Sequence, residues 1–566
     1  MKPQNKNQVL SNSFKSSSNL FKSDLILNHF IKKYVSKKGR QHCQKNWDRL
    51  GEQLACEIDE LSLQADKHSP KLIKRNFYGE EINKIEFHPA YHRLTEIAIE
   101  SEMFRVKWEP ELRQKFSSET HQLGFVSNFL FAMGEIGLDC PLCMTDGVAR
   151  LLDRHSEEQD KNRLLPHIYT ENASEFFTGA MFLTEKAGGS DVGTNLVEAE
   201  SIGNGYYHLN GEKWFCSNAN AEIIFALART SPETTGTKGL SIFLIEPNKP
   251  DGTKNYMDVI RLKDKLGVRS MASAEIILTD TVGKLIGKEG EGFKIMADMV
   301  NLSRLYNSVA ALAGYRRALI EAYQFACHRP SFGKMAIEHA LIRDKFFELA
   351  SGYLGDFYMS WEAIRLLDQA DAGDQRSSEL LRILTPMLKR QTAENGVYAV
   401  RESMEVMGGI GYIEDGVIPK IMRDMMVLPI WEGAGNIMYL DMLRASFKSE
   451  GLKLLIEDTI NNLSEVEYGD ELKMRLKILN DSFFEAKDYA QEQLESTAKK
   501  IFGELTYIYQ IALLKKYTDS QSKSWTIPAM EFLSKKVLKK DTLKDEPKTV
   551  SQIENLVGWK LKTPLR

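Results

Sequence analysis

Three short segments of the sequence pair glycines with side chains suited to ligand binding or catalysis. The first, LTEKAGGSD at 183–191, has glycines that let a backbone approach a ligand closely and hydroxyls that can bind a phosphate. The second, EVMGGIGYIED at 405–415, has glycines that end a helix and turn backbone N–H groups towards an anion. In the third, WEGAGN at 431–436, Glu432 lies between a large aromatic residue and a glycine. An acid in an apolar cleft is a stronger base near neutral pH, so Glu432 is the candidate base.

Other candidate residues favour a structural role. A polar, glycine-rich turn such as 183–191 is more often a plain loop than a site. His88 and His92 have the i, i+4 spacing that a metal can use, but no third ligand accompanies them in the sequence. Packing or capping is therefore favoured, and no metal is predicted. Cys140 and Cys143 form the one close cysteine pair, and two packed cysteines near a helix start are favoured over a redox dithiol.

The composition is that of an ordinary globular protein. The 566 residues are enough for three or four domains, with 43% hydrophobic and 27% charged residues. A net charge of −4 provides no general attraction to nucleic acid or membrane. No run of about 18 apolar residues occurs, so no membrane-spanning helix is expected. The six scattered cysteines favour a reducing compartment, and we expect a cytoplasmic protein.

The distribution of helical and β signals predicts an α+β protein with segregated parts. We expect a disordered tail at 1–23, an N-terminal helical domain at 24–177, a small β domain at 178–287, a C-terminal helical domain at 288–449 and a helical extension at 450–566. In the β domain, Asn210-Gly211 lies between two strand-like runs, which predicts a hairpin turn there.

Together and in this order, the three glycine segments resemble the acyl-CoA dehydrogenase superfamily. KLGVRS at 265–270, GKEGEGF at 287–293 and RPSFG at 329–333 support the resemblance. FHPAYH at 87–92, Trp214-Phe215 and WEGAGNIM at 431–438 resemble its AidB-like branch, the alkylation-response flavoproteins. The resemblance covers roughly 80–449. It implies a helical domain, a central β-barrel-like domain and a C-terminal four-helix bundle, to which this chain adds the helical extension.

The resemblance also implies an FAD flavoprotein in which Glu432 is the catalytic base and Arg304 lies near it and helps to set its charge. Some relatives carry the base one residue before this arginine, where this chain has Ser303. The residues that would bind or line the FAD are Thr184, Ser190, Trp214, Phe215, Cys216, Arg329, Phe332, Glu405, Gly408, Gly409, Gly411, Trp431, Gly433 and Asn436.

Several of these positions carry a further implication. Arg329, Phe332 and the glycine turn at 408–411 would reach the FAD of a neighbouring subunit, which implies a homotetramer. Cys216 stands where relatives have a hydroxyl residue, which would weaken one hydrogen bond to the flavin. Glu405 stands where many relatives have Gln, which places a like charge nearer the FAD phosphates.

The function implied is α,β-dehydrogenation of an acyl-CoA thioester, in fatty acid metabolism, with electrons passed to an electron-transfer flavoprotein or another acceptor. The alternative is an FAD-containing scaffold that binds DNA or acyl-CoA with little turnover, because AidB-like proteins are associated with DNA binding. Residues 515–566 contain 12 Lys/Arg and 6 Asp/Glu. A solvated basic face is favoured over a DNA site there, and docking to a membrane surface is a third option.

Overall fold

The computed structural model describes residues 18–486, 489–543 and 545–561. Within them the chain forms two compact units. The first, here called the bundle unit, comprises Met1–Asp59, Phe116–Gly134 and Asn307–Arg566, and the second, the sheet unit, comprises Glu60–Lys115 and Glu135–Tyr306. Most of the tail predicted at 1–23 lies outside the described residues, but the described helices already begin at Leu20.

The elements before the main sheet are mostly helical. The helices are α1 (Leu20–Ser23), α2 (Leu25–Tyr34), α3 (Lys37–Gln53), α4 (Asp59–Lys67), α5 (Pro89–Glu100), α6 (Arg105–Trp108), α7 (Pro110–Lys115), α8 (Thr120–Ala132), α9 (Ile136–His155) and α10 (Glu158–Ile168). An antiparallel hairpin of β1 (Lys71–Arg75) and β2 (Glu81–Glu86) interrupts them. The sequence prediction was wrong at this hairpin, because the whole stretch was predicted to be helical.

The sheet unit contains the main sheet. Its strands are β3 (Gly179–Phe182), β4 (Glu198–Gly203), β5 (Tyr206–Ser217), β6 (Ile223–Arg229), β7 (Leu240–Ile245), β8 (Met257–Leu262) and β9 (Ser273–Ile286). The strand order is β3-β6-β4-β5-β9-β7, with β8 beside β9, and a further pairing of β6 with β7 closes the sheet on itself. Leu209, Ile224, Phe243 and Ile276 are completely buried in its core.

The tight turn of this sheet is at Asn204-Gly205, between β4 and β5. Both residues have positive φ, 54° and 79°, as a two-residue hairpin turn that matches the strand twist requires. The hairpin predicted at Asn210-Gly211 is therefore wrong. That dipeptide lies inside the continuous strand β5, where the pairing with β9 shifts register between Leu209 and Gly211.

Helices dominate the rest of the chain. They are α11 (Gly292–His328), α12 (Ala340–Asp371), α13 (Gln375–Met407), α14 (Gly409–Tyr412), α15 (Val417–Met425), α16 (Gly435–Lys448), α17 (Gly451–Asn462), α18 (Gly469–Glu485), α19 (Gln491–Lys516), α20 (Lys523–Leu538) and α21 (Val550–Val557), with a short hairpin of β10 (Pro330–Ser331) and β11 (Lys334–Met335). Five residues, 287–291, separate β9 from α11.

A buried arginine ties both ends of the described chain to the bundle unit. Arg316 on α11 is completely buried, and its Nε donates to Oδ2 of Asp24 at 2.8 Å. Its Nη1 donates to the carbonyl oxygen of Val557 in α21 at 2.8 Å. Removing one partner of such a buried pair leaves an uncompensated charge. The C-terminal extension is therefore an integral part of the bundle unit.

Among the described residues, no helix has both the length and the apolar character that a membrane span requires.

Candidate active site

The predicted site residues divide between the two units. The sheet unit carries Thr184, Ser190, Trp214, Phe215, Cys216 and Arg304, and the bundle unit carries the remaining ones, among them Glu432. Each group is described within its own unit.

In the sheet unit, a buried ion pair anchors the loop that carries Thr184. Glu185 accepts a hydrogen bond from Nζ of Lys213 at 2.7 Å and another from the Leu196 backbone N–H at 2.5 Å. The carbonyl oxygen of Thr184 accepts from the Trp214 backbone N–H at 2.9 Å. The loop is thus fixed to β5, with the backbone of Thr184 beside that of Trp214.

The far side of this loop is open to solvent. Ser190 is exposed, and its neighbour Gly189 packs so closely that a Cβ there would lie 2.8 Å from Oγ1 of Thr184. A side chain at this position would therefore force the Thr184 hydroxyl to move. The two predicted hydroxyls therefore lie on one short, tightly packed loop.

Trp214 and Phe215 lie at an irregularity in β5. Lys213 pairs with Ile276 but Cys216 pairs with Ala274, so Trp214 and Phe215 together face one residue of β9. Such a bulge re-aims side chains and is common beside active sites. The ammonium of Lys263 lies 3.5 Å from the Trp214 ring centroid and 4.5 Å from that of Phe215, and Phe215 is 56% exposed.

The structure corrects the role expected for Cys216. Its side chain is 1% exposed and belongs to the core cluster of the sheet, together with Ala274 and Leu278. Burial raises the pKa of the Cys216 thiol, which keeps it neutral. A side chain inside the core cannot lie along a flavin.

The next residue, Ser217, is the hydroxyl that the sequence analysis missed. It is half-buried, and its Oγ lies 3.2 Å from Oγ of Ser273. Because strand side chains alternate between faces, Ser217 points away from the core that holds Cys216. The alternation after Phe215 was the signal available in the sequence.

Arg304 lies on α11, within the sheet unit. It is half-buried, and its Nη1 donates to Oδ1 of Asn301 one helical turn earlier at 3.1 Å. Ser303 beside it is completely buried. The guanidinium is thus oriented along its own helix.

In the bundle unit, the glycine turn ends α13. Gly408 has φ 61° and ψ −143°, a conformation accessible to glycine, and its N–H donates to the carbonyl oxygen of Glu405 at 3.0 Å. A Cβ at Gly408 or Gly409 would meet nothing within 4 Å, so the backbone here is open on one side. The exposed Glu405 pairs with Arg401 at 2.9 Å, which offsets the like charge expected near a phosphate.

The motif continues into α15, whose Lys420 and Asp424 form a buried ion pair at 2.7 Å. The pair is internal to this helix at i, i+4 spacing. The two opposite charges compensate each other in this buried position.

Glu432 lies in the turn between α15 and α16. It is a non-glycine residue with φ 56°, followed by Gly433 with φ 105°. The carbonyl oxygen of Gly433 accepts from Nζ of Lys389 at 2.7 Å. Trp431 is half-buried, and its indole Nε1 has no hydrogen-bond partner among the described residues. An unpaired buried donor beside a strained acid is typical of a ligand-binding site.

Arg329 and Phe332 lie at the β10–β11 hairpin that follows α11. Both are exposed, and Phe332, 98% exposed, has φ 48° at the hairpin tip. Asn436, in the first turn of α16, is also exposed. The structure keeps these three side chains away from the core of the bundle unit.

Comparison with known proteins identifies the family. Residues 180–281 match the middle domain of acyl-CoA dehydrogenases, 290–447 match their C-terminal domain, and 7–172 match the N-terminal domain of the adaptive response protein AidB. With the strained acid turn, the open glycine turn and the closed sheet, these matches are decisive. The chain belongs to the acyl-CoA dehydrogenase family, in its AidB branch.

Individual relatives agree. The chain is 32% identical over 469 residues to the putative acyl-CoA dehydrogenase AidB of Escherichia coli K12, over 81% of this chain and 82% of that protein. It is 26% identical to Caenorhabditis elegans ACDH-11, solved in complex with C11-CoA, over 93% and 91% of the chains with a TM-score of 0.84. An acyl-CoA dehydrogenase of Bacillus anthracis complexed with FAD shares the fold, at 17% identity, 96% and 91% coverage and a TM-score of 0.69.

These findings confirm the family resemblance and the α+β acyl-CoA dehydrogenase fold. The cofactor that the resemblance implies is FAD, which the Bacillus anthracis protein was solved with. The residues present fit that cofactor in each unit. The open backbone at Gly408–Gly409 leaves room for a pyrophosphate. The exposed Phe215 ring and the Ser217 hydroxyl offer an aromatic surface and a hydrogen-bonding group for an isoalloxazine.

Proposed function

We propose that this protein is an FAD-dependent acyl-CoA dehydrogenase that removes hydrogen from the α and β carbons of an acyl-CoA thioester. The observation that carries the proposal is the conformation of Glu432, whose φ of 56° is strained for a residue with a side chain. Such strain persists where the surrounding structure maintains it, and it concentrates at functional sites.

In this proposal Glu432 accepts the α-proton of the thioester. Bound FAD supplies the acceptor for the hydride that leaves the β-carbon. The family resemblance assigns Arg304 to setting the charge of this base, and a positive charge favours the ionised form of a carboxylate. Thr184, Ser190 and Ser217 bind the polar edge of the cofactor, and Trp214 and Phe215 cover its ring and exclude water.

We further propose a cytoplasmic homotetramer that passes its electrons to an electron-transfer flavoprotein or another acceptor. Support for a neighbouring subunit comes from the β10–β11 hairpin. Phe332, 98% exposed at a hairpin tip where its φ is positive, presents a large apolar ring that a neighbouring subunit would cover in this proposal. Arg329 beside it supplies a cation for a phosphate of the neighbour's cofactor.

The alternative is an FAD-containing scaffold that binds DNA or acyl-CoA with little turnover. DNA binding would depend on the basic C-terminal extension, but several lysines of the extension form ion pairs with carboxylates. Lys535 lies 2.8 Å from Asp545, Lys540 lies 2.6 Å from Glu471 and Lys515 lies 3.1 Å from Glu465. Because paired lysines attract a phosphate backbone less strongly, dehydrogenation is the better supported function.

An anaerobic titration tests the proposal. The FAD-loaded protein is mixed with acyl-CoAs of short, branched and long chains, and loss of the oxidised flavin absorbance is followed. The matched control is 2,2-dimethylpropionyl-CoA, which has no α-proton for Glu432 to take. We expect at least one acyl-CoA to bleach the flavin rapidly while the control does not. Equal, slow traces for every acyl-CoA and the control would contradict the proposal and favour the scaffold.

A further inference from the structure

The turn that carries Glu432 is held by a buried lysine. Lys389 on α13 is completely buried, and its Nζ donates to the carbonyl oxygen of Gly433 at 2.7 Å. Lysine is almost never fully buried unless partners compensate its charge. This ammonium therefore occupies a costly position, and one group that it binds is the backbone directly after the candidate base.

The turn is held from its other end as well. Asn307 on α11, itself buried, donates from Nδ2 to the carbonyl oxygen of Leu428 at 3.2 Å. Glu432, at positive φ, lies between these two anchored carbonyls, and Gly433, also at positive φ, carries the second of them. A strained backbone of this kind remains in place where fixed contacts determine it. The bond from Lys389 is charge-assisted, and such bonds are roughly twice as strong as neutral ones.

We propose that Lys389 is a positioning residue for the catalytic base. This inference rests on the proposed function, since it assigns Lys389 to the proton abstraction by Glu432. By fixing the Gly433 carbonyl, Lys389 prevents rotation of the peptide between Gly433 and Ala434 and so helps to hold the turn from which the Glu432 carboxylate projects. In this proposal the positive charge of Lys389 also favours the ionised form of the Glu432 carboxylate.

The test uses two substitutions in the FAD-loaded protein. Lys389→Met keeps the length of the side chain but removes donor and charge, whereas Lys389→Gln keeps a donor without the charge. Flavin reduction by a good acyl-CoA is followed anaerobically across pH, with the acyl-CoA dissociation constant and the melting temperature. We expect the flavin of the Lys389→Met protein to be reduced about 10²-fold more slowly than that of the wild type, the usual consequence of a misplaced catalytic group. Affinity should be unchanged, and the pH at half-maximal rate should rise.

Lys389→Gln should retain more of the rate than Lys389→Met but show the same shift of the pH profile. If the Lys389→Met protein does not fold, the Lys389→Gln protein alone still tests the proposal. Thr392→Val is the matched control, because Thr392 is buried on the same helix and its hydroxyl bonds only the Leu388 carbonyl within that helix, at 2.9 Å, among the described contacts. The control should lower the melting temperature slightly and leave the rate and pH profile unchanged.

The outcomes separate the two claims. If wild type is reduced and both Lys389 variants are reduced equally fast with the same pH profile, Lys389 is merely structural and the inference is overturned while the proposed function stands. If no acyl-CoA reduces the wild type, the proposed function fails, and the role of Lys389 in proton abstraction fails with it.

Discussion

The Nζ atom of Lys213 lies 2.7 Å from Oε1 of Glu185, and both side chains are buried beneath the loop that carries Thr184. Burial lowers the pKa of the Lys213 ammonium, and the Glu185 carboxylate opposes that shift. The pair links β5 to the loop, since Glu185 also accepts from the Leu196 backbone N–H. One ion pair thus positions the predicted cofactor residues on both segments.

We expect Lys213→Met to destabilise the protein by about 3–5 kcal/mol, because it leaves the Glu185 carboxylate buried and unpaired. FAD retention should fall with it, since the Thr184 loop loses its anchor. The double variant Glu185→Gln/Lys213→Met should recover much of the stability, measured by chemical denaturation. A Lys213→Met protein as stable as wild type would show that the pair does not hold the loop.

The glycine turn after α13 offers a matched pair of substitutions. An Ala at either position would meet nothing within 4 Å, but Gly408 has φ 61° whereas Gly409 begins a helical turn. Gly408→Ala should therefore cost about 1–3 kcal/mol of backbone strain and weaken FAD binding. Gly409→Ala should change FAD affinity little. Equal FAD dissociation constants for the two variants would refute a conformational requirement at Gly408.

Cys216 and Ser217 should respond in opposite ways. Cys216→Ser buries a hydroxyl in the sheet core and should lower stability by about 1–3 kcal/mol while leaving the flavin absorbance spectrum unchanged. Ser217→Ala should leave stability nearly unchanged but alter the flavin spectrum or its reduction potential. If Cys216→Ser altered the flavin spectrum and Ser217→Ala did not, Cys216 and not Ser217 would be the residue beside the cofactor.

Asp356 on α12 should make stability depend on pH. It is completely buried, Nε2 of Gln510 in the extension donates to it at 2.7 Å, and burial raises its pKa to about 7 from the ordinary value of 3.8. Because the folded state binds the proton more tightly than the unfolded state, stability falls as pH rises from about 4 through 7.

Asp356→Asn should remove this slope and make the protein more stable than wild type at pH 8, by about 1–3 kcal/mol. At pH 4 the two proteins should be similar. Denaturation midpoints at both pH values check this. A wild-type advantage at pH 8 would mean that the carboxylate is stabilised in its ionised form.

The sequence predicted the features that depend on local residue type. The acid–glycine turn at Glu432 and the glycine turn at Gly408 lie where predicted, because glycine and strained turns leave a local signature. The predicted orientation of the Cys216 side chain towards the flavin was wrong. The bulge at Trp214-Phe215 sets that orientation, and it depends on pairing with β9, about sixty residues away. Lys389 was missed for the same reason, since its partner Gly433 is 44 residues further along the chain.

The most direct test of the central claim compares wild type with Glu432→Gln, which removes the carboxylate and keeps the shape of the side chain. The rate of flavin reduction by a good acyl-CoA should fall by at least about 10²–10⁴-fold, the usual contribution of a positioned base. FAD content and acyl-CoA affinity should change little. If variant and wild type were both reduced rapidly and at the same rate, the assignment of Glu432 would be contradicted; if both were reduced equally slowly by every acyl-CoA, the dehydrogenase function would be contradicted as well.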